Sequence, residues 1–226
     1  MAISRAVLGV LVILLVSASG CTEVSEISFL TADGGIVYAD EYGTGDKGLV
    51  LAHGGRFTKE SWAHQAPVFA DAGFRVVAID FRGRGDSQGP DSDPDGVDVH
   101  FDVIGAVKYL KDSGASTVSV VGASFGGWAA ANAAVEIPGE IERLVILAAG
   151  VDTPEKLTGR TLFILARDDF MGEGTLRLPA IQEDFDRAPD PKELILLDGE
   201  AHAQYIFETD QADRLMEYLI EFLTRN

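Results

Sequence analysis

Thr117-Val118-Ser119-Val120-Val121-Gly122-Ala123-Ser124-Phe125-Gly126-Gly127-Trp128 is the stretch on which the fold turns. Valines at 118, 120 and 121 read as a short buried strand, and the alanine-rich run from Trp128 to Val135 reads as a helix. Between them lies G-x-S-x-G, over Gly122 to Gly126. A strand, a sharp turn and a helix together lift the serine into an exposed and strained position. The neighbours must then approach closely, and glycines at 122 and 126 remove the side chains that would collide. The helix start behind Ser124 favours negative charge developing nearby.

Outward from this stretch, apolar runs recur at 49–52, 76–79, 144–149, 162–166 and 194–197. Such runs are typical of parallel strands covered on both faces. Helical segments alternate with them. Phe101, Ile104, Val107 and Leu110 share one face of a helix closing at Gly114, and Leu215, Leu219, Phe222 and Leu223 mark a final helix starting near Asp210. The alternation predicts an α/β fold, a mostly parallel sheet with helices on both faces. Residues 27–31 and 36–39, split by Asp33-Gly34-Gly35, predict an antiparallel hairpin leading into it. With no repeat or long linker, one domain over 27–226 suffices.

A serine hydroxyl needs an imidazole to accept its proton and a carboxylate to orient that imidazole. Of four histidines, His202 lies just past the 194–197 strand, in Gly199-Glu200-Ala201-His202. The 162–166 strand ends in Arg167-Asp168-Asp169, which offers two carboxylates. The order Ser, Asp, His, with the strand-turn-helix around Ser124, resembles the α/β-hydrolase superfamily over nearly the whole mature length. That resemblance implies Asp169 as the acid, with Asp168 on the surface. It implies oxyanion donors at the Phe125 N–H and, in His53-Gly54-Gly55-Arg56, at the Gly55 N–H, with Gly54 as the alternative. His53 and the turn Asp80-Phe81-Arg82-Gly83-Arg84-Gly85-Asp86-Ser87 would then be structural.

Only residues 151–160 separate two strands where many members carry a helical cap, so no cap domain is expected and the site should be open. The chain is therefore similar to small lidless carboxylesterases and dienelactone-hydrolase-like members. Ser124 stands where a dienelactone hydrolase has cysteine, which favours ester hydrolysis. The expected substrate is a small-molecule ester, and neither cofactor nor metal is required. Peptidase, thioesterase and acyltransferase chemistry share the apparatus, and a non-catalytic surface-anchored binding protein is the rival of another class. Arg56, Phe57 and Trp62 could wall a pocket, although Trp62 also suits the core.

The first twenty residues read as an address. Arg5 precedes an apolar run over 6–16, then Ser17-Ala18-Ser19-Gly20 and Cys21. This is the layout of a signal peptide. Eleven helical residues reach only ~17 Å, short of a bilayer core of ~30 Å. Small residues before the sole cysteine resemble the lipobox of bacterial-type lipoproteins, with Ala18 departing from the usual Leu. The expectation is a lipid-anchored, exported enzyme attached through Cys21 by a tether over 21–26, and the alternative is plain secretion.

Thirty-six acidic residues against 18 basic ones give a net charge of −18. Such a surface disfavours nucleic acid, and one cysteine rules out an intramolecular disulfide. No obligate protein partner is evident. Asp91, Asp93 and Asp95, followed by Gly96 and Asp102, resemble a calcium loop. Acidic residues entering a helix are the competing explanation.

Overall fold

The computed structural model describes residues 24–91, 93 and 97–225. Eight strands run in chain order as β1 Val24–Leu30, β2 Ile36–Tyr42, β3 Lys47–Ala52, β4 Phe74–Ile79, β5 Thr117–Ala123, β6 Arg143–Leu147, β7 Arg160–Ala166 and β8 Lys192–Leu197. Five helices join them: α1 Gln65–Asp71, α2 His100–Asp112, α3 Phe125–Glu136, α4 Leu178–Arg187 and α5 Ala212–Thr224. They form one sheet in the order β1-β2-β4-β3-β5-β6-β7-β8. From β4 to β8 every neighbouring pair is parallel, whereas β2 is antiparallel to both β1 and β4. This is the α/β-hydrolase fold, with the expected hairpin at its edge.

Strand β6 is buried throughout, and β5 and β7 at every position but the first, which is why they read as unbroken apolar runs. The edge strand β1 is mostly exposed. Strand order reverses at β3, since the chain runs outward to β4 and then returns to β5 on the other side. The loops leaving β3 and β5 therefore open a crevice at the carboxyl ends of the strands, where α/β sheets bind ligands.

Several boundaries differ from the sequence reading. β1 begins at Val24, where it pairs with Tyr42, so residues 24–26 belong to the sheet and not to a tether. The leader and Cys21 lie outside the described residues. Strand β6 stops at Leu147, and α5 starts at Ala212 instead of Asp210. Between β6 and β7 there is only a single turn of 3-10 helix, Pro154–Lys156, and no cap. Among the described residues no helix is long and apolar enough to cross a membrane. Trp62 is fully buried with its ring edge-on to Phe207 at 5.9 Å, so it is core and not pocket wall.

Arg82 opposes the calcium alternative and favours the helix-entry explanation. Its side chain is fully buried and reaches three carboxylates: Asp102 at 2.8 Å, Asp33 at 2.7 Å and Asp93 at 2.9 Å. Asp102, itself inaccessible, also accepts the Arg82 backbone N–H at 2.8 Å. The guanidinium thus occupies two of the four carboxylates of the calcium reading, Asp93 and Asp102, while Asp95 lies outside the described residues. Among those described, no group of three or more His, Cys, Asp or Glu is arranged to hold a metal. Burial pushes the Asp102 carboxyl up, against the pull of its Arg82 bonds, while the Arg82 guanidinium is held above its ordinary range despite burial. The Val97 and Asp98 N–H groups, with Arg82, hold Asp93 low. Burial of one cation among several carboxylates is tolerable only because each hydrogen bond is made.

Candidate active site

Ser124 sits between the last residue of β5 and the first of α3, with φ 51° and ψ −116°. A non-glycine residue there is strained by about 1–3 kcal/mol, which the surroundings must enforce. They do so through the backbone. The Ser124 N–H donates to Leu147 O at 2.8 Å, and its carbonyl accepts from Gly127 and Trp128 N–H groups at 2.9 and 3.1 Å. A Cβ on Gly122 would come within 2.3 Å of Gly126 O, and one on Gly126 within 2.3 Å of Ala52 O. The G-x-S-x-G spacing is therefore a steric requirement of packing the elbow against β3.

Asp169 ends the turn after β7, where its N–H reaches Ala166 O at 3.3 Å, and is 1% exposed. Its Oδ2 lies 2.7 Å from His202 Nδ1, and His202 Nε2 lies 2.7 Å from Ser124 Oγ. A carboxylate can only accept, so Nδ1 carries the proton and Nε2 is left to accept the serine hydroxyl. Asp168 is exposed and its backbone N–H bonds Gly199 O, so of the two carboxylates Asp169 alone meets His202. His202 precedes Ala203, which takes φ 51° at the start of a 3-10 turn, Ala203–Glu208. Three residues from three separate strand ends thus converge within hydrogen-bond distance.

The loop after β3 completes the site. The Gly54 N–H is taken by Gln204 Oε1 at 2.7 Å, which removes Gly54 as a free donor. Among the described residues the Gly55 N–H has no acceptor, and Phe125 opens the first turn of α3, where N–H groups lack intrahelical partners. His53 is fully buried, with Nδ1 at 2.8 Å from Gly54 O and Nε2 accepting the Phe81 N–H at 3.3 Å. Those partners place the proton on Nδ1 and keep the ring neutral. Burial pushes its pKa down to about 4, so His53 braces the loop and is not a base. The Arg84 guanidinium donates to Gly55 O from the turn after β4.

The sequence gives no role to Gln204 or Arg177, and Arg84 enters it only as part of the structural turn 80–87. Gln204 joins the loop after β8 to the loop after β3, and its amide N–H also donates to Ser61 Oγ at 2.8 Å. Arg177 Nε donates to Asp169 Oδ2 at 3.1 Å, and its backbone N–H donates to Asp169 O at 2.8 Å. No spacing rule marks such contacts.

Two clefts meet at Gly55 and Phe125. One, of about 420 Å³, contains Ser124 and His202 and is walled by Arg56, Arg177, Phe57, Phe170 and Tyr205. The other, of about 670 Å³, runs past Phe81, Arg84, Val99 and Trp128. The two clefts thus open on either side of the Gly55 and Phe125 N–H groups.

The sequence profile of the Alpha/beta hydrolase family matches residues 49–223. A stretch of 123 residues is 31% identical to the 2-hydroxy-6-oxononadienedioate/2-hydroxy-6-oxononatrienedioate hydrolase of Burkholderia vietnamiensis, covering 53% of this chain and 42% of that protein. Another of 78 residues is 40% identical to epoxide hydrolase A of Mycobacterium tuberculosis, covering 34% of this chain and 24% of that one. The chain thus spans less than half the length of these curated relatives. Among solved structures, an esterase of Pyrococcus furiosus superposes with a TM-score of 0.75 at 19% identity, covering 90% of this chain and 91% of its own. At that identity the likeness is one of fold. The family profile spans most of the chain, including Ser124, Asp169 and His202, and the chain belongs to the alpha/beta hydrolase family.

Proposed function

We propose that this hydrolase cleaves small carboxylic esters through an acyl-enzyme formed on Ser124. The observation that carries the reading is the unbroken chain Ser124 Oγ, His202 Nε2, His202 Nδ1, Asp169 Oδ2, with both links at 2.7 Å. His202 Nε2 takes the hydroxyl proton as Oγ attacks the acyl carbon, and Asp169 stabilises the imidazolium. The charge that builds on the carbonyl oxygen is met by the Phe125 and Gly55 N–H groups, prepaid in the fold and aimed at one point. His202 returns its proton to the departing alkoxide, so an alcohol leaves. A water then gives its proton to His202 and attacks the acyl carbon, releasing the acid and restoring the Ser124 hydroxyl.

Ester cleavage is favoured over the lactone opening of dienelactone hydrolases because Ser124 stands where they carry cysteine. A fluorophosphonate probe is expected to label the wild type and to leave Ser124→Ala unlabelled. Equal labelling of the two would refute the assignment of Ser124. Turnover of 4-nitrophenyl esters of rising chain length, beside thioester and aminoacyl substrates, reads the leaving-group preference.

The proposal extends to location. The apolar leader and the small residues before Cys21 support export with lipid attachment at Cys21. Membrane fractionation of Cys21→Ser tests it: loss of the protein from the membrane fraction is expected, and retention would refute the anchor.

A further inference from the structure

The cleft holding Ser124 and His202 is electrostatically opposite to the chain that builds it. Two arginines, Arg56 and Arg177, line it, and no carboxylate stands among its described lining residues. The whole chain has twice as many acidic as basic residues, 36 against 18. Across Gly55 and Phe125 the second cleft is lined by Arg84, while the Arg82 beside it is neutralised by Asp33, Asp93 and Asp102. Acidic side chains line the third side of Ser124, where Asp152 and Asp184 stand with Arg177. Asp152 is occupied there by the Trp128 Nε1–H at 2.9 Å, and Asp184 by the Val151 N–H at 2.9 Å.

The arginines of the Ser124 cleft are also under-used. Arg56 is exposed and makes no ion pair or hydrogen bond among the described residues. Arg177 commits Nε to Asp169, and its two Nη groups have no acceptor among the described residues. A guanidinium offers a planar fork of donors that matches a carboxylate. Four aromatic rings, those of Phe57, Phe125, Phe170 and Tyr205, line the same cleft and supply its apolar wall.

We infer that this cleft selects esters carrying a carboxylate, which rests against Arg56 and the free Nη groups of Arg177 while the intervening carbon skeleton lies on the aromatic wall. The inference rests on the ester-hydrolase reading and adds the class of substrate to it. A local cationic cleft is what an enzyme with a net charge of −18 needs to accept an anion that its outer surface repels.

Matched substrate pairs test it. The 4-nitrophenyl monoester of glutaric acid is compared with its methyl-capped diester, which places the charge on the acyl side. The acetate ester of 4-hydroxybenzoate is compared with that of its methyl ester, which places it on the alcohol side. Each kcat/KM ratio is divided by the corresponding ratio of hydroxide-catalysed rates. In at least one pair the corrected ratio of anionic to neutral ester should favour the anion by roughly tenfold, the scale of one charge-assisted hydrogen bond. It should fall toward one in Arg56→Ala and below one in Arg56→Glu. A ratio at or below one in both pairs, or a ratio that Arg56→Glu leaves in place, overturns the inference. Arg177 is kept intact because it also holds Asp169. If no ester is turned over, the ester reading fails by itself, and calorimetry on Ser124→Ala still decides this one. Benzoate should bind where benzamide does not, and binding should be lost in Arg56→Glu; equal binding of the two, or its survival in that variant, overturns it.

Discussion

Replacing Arg82 with Met removes the single cation from a buried junction of three carboxylates while keeping most of the side-chain volume. Asp102 then loses Nε at 3.0 Å and Nη2 at 2.8 Å and keeps only the Arg82 backbone N–H. Asp33 and Asp93 are less enclosed and can turn to water, but Asp102 has no accessible surface. Stranding one buried charge in this way costs about 3–5 kcal/mol. Against a total stability of about 5–15 kcal/mol that is a large share. In a domain of this size it lowers Tm by about 6–20 °C. Urea and thermal unfolding of wild type and Arg82→Met at neutral pH measure it directly.

The pH dependence distinguishes a stranded charge from simple loss of packing. Burial already pushes the Asp102 carboxyl up, and Arg82 is what opposes that push. Without the guanidinium the folded carboxyl binds its proton more readily than the unfolded one. Stability therefore increases as pH falls, and the variant's deficit should shrink on acidification. Adding Asp102→Asn to Arg82→Met should recover part of the loss at neutral pH. A deficit below about 1 kcal/mol, or one that stays constant from about pH 8 to about pH 5, would refute the reasoning.

Asp169→Asn should lower kcat by roughly four orders of magnitude with little change in urea midpoint, because an amide donor turns His202 to the wrong tautomer; Asp168→Asn should leave the rate near wild type. His53 provides an acid-side stability prediction. Its folded pKa of about 4 lies below the ordinary histidine value, so the unfolded chain binds the extra proton first as pH falls. Stability contributed by the neutral ring is complete above about pH 6.5 and is lost toward about pH 4, by about 3 kcal/mol, and urea midpoints of His53→Gln should lack that share of the slope. Millimolar calcium or a chelator should leave the wild-type Tm unmoved, since Arg82 already holds Asp93 and Asp102.

What could be read in the sequence is what local backbone geometry demands. Gly122 and Gly126 must be glycine because carbonyl oxygens lie where their Cβ atoms would go, so Ser124 announces itself by its neighbours. The same holds for the parallel strands, whose burial on both faces forces continuous apolar runs. Asp169 and His202 were visible because each stands in a turn directly after such a strand. The choice of Asp169 over Asp168 nevertheless came from resemblance, and only the burial of one and exposure of the other gives it a physical basis.

The calcium loop is ambiguous for the opposite reason. Alternating aspartates at 91, 93 and 95 read the same whether Asp93 meets a metal cation or, as here, a guanidinium. The answer depended on Arg82, which lies 20 residues from Asp102 and 49 from Asp33. Gln204, 150 residues from Gly54, shows the same blindness at the site itself. Any donor–acceptor pair that reached between those loops would serve, so no residue pattern advertises it. Yet Gln204 is what occupies the Gly54 N–H and leaves Gly55 facing the cleft. A residue that reacts is constrained by its own backbone, whereas one that aims the reaction is constrained only by what folds against it. For this chain the proposed triad could therefore be picked from one motif and two strand ends, while the side chains that brace it, and the arginines that line the cleft, are placed only by the packing of separate loops.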